Sequence, residues 1–264
     1  MVAWALVVWV TVPALPLLVA WAWMAGDWRV GGGYLAPGLA SVALNVAANF
    51  AYFRAFQLSA LSVTLPMLSL TPVFSTLFGA VALAEPVTAR GVGGILLVVA
   101  GAFVLSTSTV REEARRRLRF ETGSLVMGLV ALCWSATMLL DKLAMAHASA
   151  PVHALVLNAG TAIGGCVALA LARQLGAHGA ERGSFGLLLV AVASGVAALG
   201  TQLVAIQSLS IGMVETIKRG VGGVMAVVWG RTLFDEPVLP RKLVALGLLI
   251  AGVALLLLPS EGGR

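Results

Sequence analysis

Residues 55–87, AFQLSALSVTLPMLSLTPVFSTLFGAVALAEPV, decide the fold. The stretch is too long and too apolar for a core helix of a soluble protein, because about 20 apolar residues already cross the roughly 30 Å hydrocarbon core of a bilayer. Pro66 and Pro72 nevertheless interrupt it. Proline removes a backbone donor, and in hydrocarbon only neighbouring protein or a water-filled cavity can satisfy the groups that it frees. The stretch therefore predicts a broken membrane helix beside a functional site.

The same pattern occurs twice in the chain. An interval of 151 residues separates Gly79 from Gly230 and Gly101 from Gly252, and the same interval separates Glu85-Pro86-Val87 from Glu236-Pro237-Val238. A fixed interval across several helices indicates a duplicated unit, and transporters bind substrate where two such repeats meet. We expect repeats at residues 1–108 and 123–259, an Arg-rich linker at 109–122 and a tail at 260–264.

The composition is that of an integral membrane protein. Mean hydropathy is +1.00, and 60% of the residues are hydrophobic against 11% charged, whereas soluble domains carry about 25% charged residues. The formal charge of +6 does not point to nucleic acid, because five arginines lie in the linker, where anionic lipid headgroups are the expected partner. They are Arg111, Arg115, Arg116, Arg117 and Arg119. Apolar runs predict nine spans, at about 2–24, 34–57, 59–84, 89–108, 124–147, 151–173, 184–207, 209–234 and 240–259.

The nine spans divide as four plus five. At the 151-residue interval, spans one to four correspond to spans six to nine, and the fifth has no partner in the first half. The simplest expectation is that one helix is missing before Met1, through a misassigned start or a truncated gene; the alternative is that nine spans are genuine. The excess of Lys and Arg on the linker side predicts that this side faces the cytoplasm, and the expected location is the bacterial inner membrane.

Three motifs carry a family resemblance. LTPVFSTLFGAVALAEPVTARGVGGILLVVAGAFVL (70–105) resembles the signature of the EamA family in the drug/metabolite transporter superfamily, and CWSATMLLDKLAM (133–145) and ETIKRGVGG (215–223) resemble one branch of it. The resemblance implies ten helices in two inverted five-helix repeats, a central cavity, and alternating access that exports small metabolites or drugs. It also implies cytoplasmic termini and an external linker, against the charge count, so orientation stays open.

Charged residues deep in predicted spans are the first candidate site, since each costs about 2.5–3.5 kcal/mol at a helix centre. Glu215 and Arg219 are four apart on one helix face and can pair. Lys218, expected near the midplane, needs another partner, for which Asp141 is the candidate. Lys218 and Arg219 then bind an anionic substrate group; the alternative is a closed structural network of these four residues with Lys142.

Polar and aromatic residues extend the candidate site. Asn45, Asn49 and Tyr52 share one face of the second span and can read a polar solute or hydrogen-bond between helices. Trp134, about two turns from Asp141, can stack on a flat substrate or serve as packing. Glu85 and Glu236 each precede a proline, so we expect structural joints at helix starts.

The sequence therefore favours a permease for a small polar or amphipathic metabolite, anionic or zwitterionic, that works by alternating access. No enzyme motif, cofactor site or metal site is expected. The expected partners are a small-molecule substrate and the lipid bilayer, with proton coupling and a homodimer left open and no nucleic acid. The alternatives are efflux of lipophilic cations or drugs, and, from another class, a lipid carrier or non-transporting membrane scaffold.

Overall fold

The computed structural model describes residues 3–59, 64–107, 122–171, 185–235 and 239–257. Within these ranges the chain is helical apart from short connections and one isolated bridge between Val30 and Ala148. The described helices are α1 (Ala3–Ala25), α2 (Leu35–Leu58), α3 (Thr71–Leu83), α4 (Ala89–Thr107), α5 (Thr122–Met145), α6 (Ala150–Leu171), α7 (Phe185–Ser208), α8 (Ile211–Phe234) and α9 (Pro240–Leu257). The prediction of an all-α, polytopic helical bundle is confirmed in the described residues, where nine helices lie at the nine predicted positions and eight of them qualify as membrane spans. The linker arginines, Glu236 and the tail lie outside the described residues, and the domain boundaries stay a prediction.

The third span is broken at its prolines, as predicted. A 3₁₀ segment, Leu65–Leu70, precedes α3. Pro66 lies in the first turn of the 3₁₀ segment and Pro72 in the first turn of α3. A first-turn proline costs the helix little, because the N–H that it lacks has no intrahelical partner there. The two prolines thus divide one apolar run into two helical pieces that meet at Thr71.

Eight described helical segments are long and apolar enough to cross a membrane. The remaining helix, α8, has 24 residues but carries Glu215, Lys218 and Arg219 within two turns. Charges at this depth are tolerated where they face protein or water rather than lipid. The chain is an integral, multi-pass membrane protein, and α8 is the helix whose charges need an explanation.

The helices form two compact units. Unit 1 comprises Met1–Phe50 and Thr137–Ser208, and unit 2 comprises Ala51–Ala136 and Leu209–Arg264. In unit 1, α1 packs along α6 and α7, and the Asn158 side chain donates to the Thr11 carbonyl oxygen at 2.7 Å. Gly160 and Gly164 of α6 lie directly against two valines of α2. Small residues at these positions let the helices approach closely.

In unit 2, α4 and α9 pack with their backbones in contact. A Cβ atom on Gly94 would lie 2.9 Å from the Gly252 carbonyl oxygen, and a Cβ on Gly252 would lie 2.8 Å from the Gly94 oxygen. A Cβ on Gly101 would lie 3.0 Å from the carbonyl oxygen of Ala245. As residue numbers rise along α4 they fall along α9, so the two helices are antiparallel.

These contacts repeat at the interval seen in the sequence. Ala245 lies 151 residues after Gly94, and Gly252 lies 151 residues after Gly101, so the two glycine contacts exchange with one another under that shift. We call this α4–α9 contact, made by Gly94, Gly101, Ala245 and Gly252, the glycine seam. Its two halves are equivalent, as expected for a duplicated unit.

The ends of α3 and α8 repeat as well. Ala84 (φ 51°) and Asp235 (φ 50°) are the non-glycine residues with positive φ in the described part of the chain. Each ends its helix in a left-handed conformation, with the capping N–H donated to the carbonyl of Gly79 or Gly230. Left-handed residues commonly close helices in this way. The same joint therefore recurs 151 residues later.

Glu85 is a structural joint, as expected, but it caps a different helix from the one expected. Its carboxylate accepts a hydrogen bond from the Ile211 N–H at 3.0 Å. It therefore lies at the positive N-terminal end of α8, where an anion is stabilised, rather than at the start of its own next helix. The expectation of a joint was right in kind and wrong in the helix that it caps.

Candidate functional site

A charged cluster lies in unit 2, where the broken span meets α8. The Thr71 hydroxyl is 2.9 Å from the Leu68 carbonyl oxygen and 2.7 Å from Glu215 Oε1. Arg219 Nε donates to Thr71 Oγ1 at 2.9 Å and to Glu215 Oε1 at 3.0 Å. Lys218 Nζ is 2.5 Å from Glu215 Oε2. We call Thr71, Glu215, Lys218 and Arg219 the cationic cluster.

The cluster holds two cations on one carboxylate. The predicted Glu215–Arg219 pair is present, but the expectation that Lys218 leaves Glu215 to Arg219 is wrong, since Lys218 pairs with the second carboxylate oxygen. The proposed contact of Lys218 with Asp141 stays a prediction. One turn of helix separates Lys218 and Arg219 from Glu215, so both reach back to it. The cluster therefore retains one formal positive charge.

Exposure distinguishes the three charged side chains. The Glu215 side chain is 3% exposed, that of Arg219 is 27% exposed, and that of Lys218 is 45% exposed. Lys218 lies seven residues into α8, roughly 10 Å from its start at 1.5 Å per residue, and its depth in the membrane stays a prediction. The carboxylate is thus sealed beneath two cations whose outer faces stay accessible.

An aromatic pair lies in the same unit. The rings of Tyr52 and Trp134 are 5.3 Å apart and tilted by 39°. Both pack against a buried apolar cluster that includes Leu68, the residue whose carbonyl oxygen accepts from Thr71. The structure therefore brings Tyr52 and Trp134 to the protein surrounding the cationic cluster.

The two asparagines belong to unit 1 and bond to each other. The Asn49 side-chain amide donates to the side-chain oxygen of Asn45 at 2.9 Å and to its backbone carbonyl at 2.9 Å. Their predicted shared helix face is present. These two bonds use both amide protons of Asn49. A polar solute would therefore be bound by the side-chain amide of Asn45 rather than by that of Asn49.

Asp141 lies in unit 1 within a buried polar network. His153 Nε2 is 3.0 Å from Asp141 Oδ1, and the Tyr34 hydroxyl is 3.0 Å from His153 Nδ1. The Ser41 hydroxyl donates to the same carboxylate oxygen. All four side chains are at most 3% exposed. We call Tyr34, Ser41, Asp141 and His153 the histidine network.

Sequence reasoning missed His153, Tyr34, Ser41 and Thr71. The His153 side chain is fully buried, although it lies in the first turn of its helix. The available signal was a histidine in the first turn of an apolar helix, two residues after Pro151, with an acid one turn from the end of the preceding helix. Among the described residues, no group of three or more His, Cys, Asp or Glu side chains could hold a metal ion.

Comparisons with known proteins agree with the sequence resemblance. Residues 1–107 match the model of the EamA-like transporter family. One solved protein crystal structure superposes with a TM-score of 0.73, covering 96% of this chain and 87% of that one, at 16% identity. At that identity the likeness concerns the fold alone. No curated protein sequence matches the chain.

Proposed function

We propose that this chain is a permease of EamA type that moves a small polar or amphipathic metabolite with an anionic group, by alternating access; the match of residues 1–107 to the EamA-like transporter family model supports the proposal. The observation that carries the proposal is the stoichiometry of the cationic cluster. One buried carboxylate neutralises one of two cations, and the remaining positive charge lies on the accessible side. A carboxylate or phosphate on the solute completes that charge balance.

The cluster supports an anionic or zwitterionic solute over a lipophilic cation. A cation-binding site in an apolar environment needs a carboxylate free to receive the solute. Glu215 already forms an ion pair with Lys218 and accepts hydrogen bonds from Arg219 and Thr71. A cationic solute would have to displace an ammonium or a guanidinium that is tethered one helical turn away.

The aromatic pair supports a solute with an apolar portion. Tyr52 and Trp134 present ring surface in the unit that holds the cluster, and membrane-transport sites combine apolar walls with a few polar groups that fix orientation. Lys218 and Arg219 are assigned to the anionic group and the two rings to the body of the solute.

The direct test is uptake of a defined solute pool by proteoliposomes. The pool holds carboxylates, phosphate monoesters, zwitterionic amino acids, neutral sugars and lipophilic cations, and mass spectrometry quantifies what enters. We expect the wild-type protein to accumulate an anionic or zwitterionic solute, and Lys218→Ala to reduce that uptake to the level of protein-free vesicles.

The matched control is Arg231→Ala. Arg231 is an exposed cation on the same helix, more than three turns beyond Lys218, so its loss removes the same charge from α8 without touching the cluster. We expect this variant to transport normally. Wild-type uptake confined to lipophilic cations, or a Lys218→Ala protein that inserts and transports at the wild-type rate, contradicts the assignment.

A further inference from the structure

The histidine network joins three parts of unit 1 through buried polar atoms. Tyr34 precedes α2, Asp141 lies one turn before the end of α5, and His153 lies in the first turn of α6. Hydrogen bonds link Tyr34 to His153 and His153 to Asp141, each at 3.0 Å. Buried polar groups in a membrane protein are expensive and are typically functional.

The Asp141 carboxylate only accepts hydrogen bonds, so a neutral His153 in this contact carries its proton on Nε2. Burial and the nearby Asp141 charge raise the pKa of Tyr34 to about 12, so its hydroxyl keeps its proton and can donate to His153 Nδ1. A ring nitrogen that accepts in a neutral imidazole leaves the other nitrogen to carry the proton. His153 Nε2–H then donates to the Asp141 carboxylate, which Ser41 also supports.

Among the described residues of unit 1, the other titratable groups lie elsewhere. Helices α1 and α7 carry none in their sequences, and α6 adds only Cys166, which is exposed. Asp27 and Arg29 pair with each other at the surface at 2.7 Å, and the Arg29 hydrogen bond lowers the pKa of Asp27. Lys142 follows Asp141 directly and projects about 100° away around the helix, and His147 is exposed in the turn after α5.

We propose that the His153–Asp141 pair is a proton-binding site, and that its protonation state sets the pH dependence of transport. The idea of pH-dependent transport rests on the proposed function, whereas the proton site itself does not. Histidine is the side chain that changes charge between about pH 5 and 8. A protonated imidazole supplies the cation that balances the buried Asp141 carboxylate.

Proton uptake reverses one hydrogen bond. A hydronium ion transfers its proton to His153 Nδ1, so that one O–H bond breaks and one N–H bond forms. Nδ1 then becomes a donor, while the Nε2–H group keeps donating to the Asp141 carboxylate. The Tyr34 hydroxyl must rotate so that its oxygen accepts, and its own proton loses its present partner. No bond other than N–H is made, and the charge of the pair changes from minus one to zero.

The hydrogen bond that reverses lies next to a loop that two further hydrogen bonds hold in place. The segment before α2 is held to the turn between α5 and α6 by the Gly31 N–H donating to the His147 carbonyl oxygen at 2.7 Å and by the Ser149 hydroxyl donating to the Asp27 carbonyl oxygen at 2.6 Å. Tyr34 ends that segment. A change in the Tyr34 hydrogen bond therefore acts directly on the joint between α2 and α6.

The experiment follows the histidine ring nitrogens by NMR in the full-length protein, ¹⁵N-labelled at histidine, in lipid nanodiscs. The chain has three histidines, and spectra of His147→Gln and His178→Gln identify the His153 signals by elimination. We expect the His153 ring to pass from the Nε2–H tautomer to the imidazolium as pH is lowered from 8.5 to 5. A ring that keeps one state across that range overturns the proposal, whatever the variants do.

Two variants then connect the proton to transport. In Asp141→Asn the His153 titration should move to lower pH, because the carboxylate that stabilises the imidazolium is gone. In His153→Gln the pH dependence of uptake should disappear, while His147→Gln keeps it. Uptake that varies with pH identically in wild type and His153→Gln overturns the coupling. If the protein transports nothing but His153 still titrates, the permease proposal is contradicted and the proposal of a proton-binding site is supported.

Discussion

Thr71 supports three neighbours with one hydroxyl group. It lies at the junction of the 3₁₀ segment and α3, within hydrogen-bonding distance of the Leu68 carbonyl, the Glu215 carboxylate and the Arg219 guanidinium. The broken span thereby supplies the group that holds the carboxylate of the cationic cluster in place. The prolines that break the helix matter to the site because they position Thr71 there.

Thr71→Val tests this position. Valine has nearly the same shape, but it removes one hydrogen-bond partner from the buried Glu215 carboxylate and one from the partly exposed Arg219 guanidinium. A lost hydrogen bond to a charged group costs about 1.5–3 kcal/mol. We expect a melting temperature lower by about 2–4 °C per kcal/mol, measured by tryptophan fluorescence in detergent.

The matched substitution is Thr201→Val. The Thr201 hydroxyl is exposed and donates only within its own helix, to Ala197 and Ala198 carbonyls. We expect its melting temperature to stay at the wild-type value. Equal changes of melting temperature in the two variants would mean that the hydrogen bonds of Thr71 to Glu215 and Arg219 do not contribute to stability.

Single residues were the least predictable level from the sequence. The spacing of Glu215 and Arg219 gave their pairing, because a helix fixes which positions face each other. The histidine network joins residues up to 119 apart, and no local period relates Tyr34 to His153. Lys218 was misassigned because three charges on one helix allow more than one pairing.

At the level of elements, the glycine seam explains how α4 and α9 pack. Backbone atoms of the two antiparallel helices lie against each other at Gly94 and Gly252 and again at Gly101 and Ala245. In lipid there is little hydrophobic force between helices, so close packing contributes most of their attraction. The glycines of the repeated motif are therefore packing residues.

Gly252→Ala should weaken the seam. Its Cβ would lie 2.8 Å from the Gly94 carbonyl oxygen and 2.9 Å from the Val98 backbone nitrogen, so the helices must separate. Overpacking of this kind costs about 1–3 kcal/mol. We expect a lower melting temperature and a smaller fraction of monodisperse protein on size exclusion.

Gly247→Ala is the control on the same helix. A Cβ at Gly247 meets nothing within 4 Å, and alanine favours a helix by up to about 1 kcal/mol over glycine. Its melting temperature should be unchanged or higher. A loss as large as that of Gly252→Ala would show that α9 is sensitive to any added methyl group.

Elements were predicted well, and for a physical reason. A membrane helix must be continuous, apolar and about 20 residues long, so hydropathy alone placed the nine described helices, and prolines placed the break before Thr71. Glu85 shows the limit: its proline indicated a joint, but capping α8 depends on tertiary structure that no local pattern encodes.

For the whole molecule, the question is whether function lies in a solute pathway or in the Arg-rich linker. Replacing Arg111, Arg115, Arg116, Arg117 and Arg119 by glutamine separates the two. We expect uptake by proteoliposomes to stay within about twofold of wild type, because surface charges have small effects away from a site. Loss of uptake, with normal insertion, would favour a scaffold or lipid-binding role for the linker.

The glycine seam is the same when read from either end. The 151-residue shift exchanges its two contacts, so these contacts are equivalent and give the helix pair no direction across the membrane. Vectorial behaviour must come from groups without a counterpart, and the residues 151 positions before Lys218 and Arg219 are Met67 and Leu68. Polarity of transport is thus expected to follow one copy of the ancestral repeat, in which an uncharged pair is replaced by a basic one.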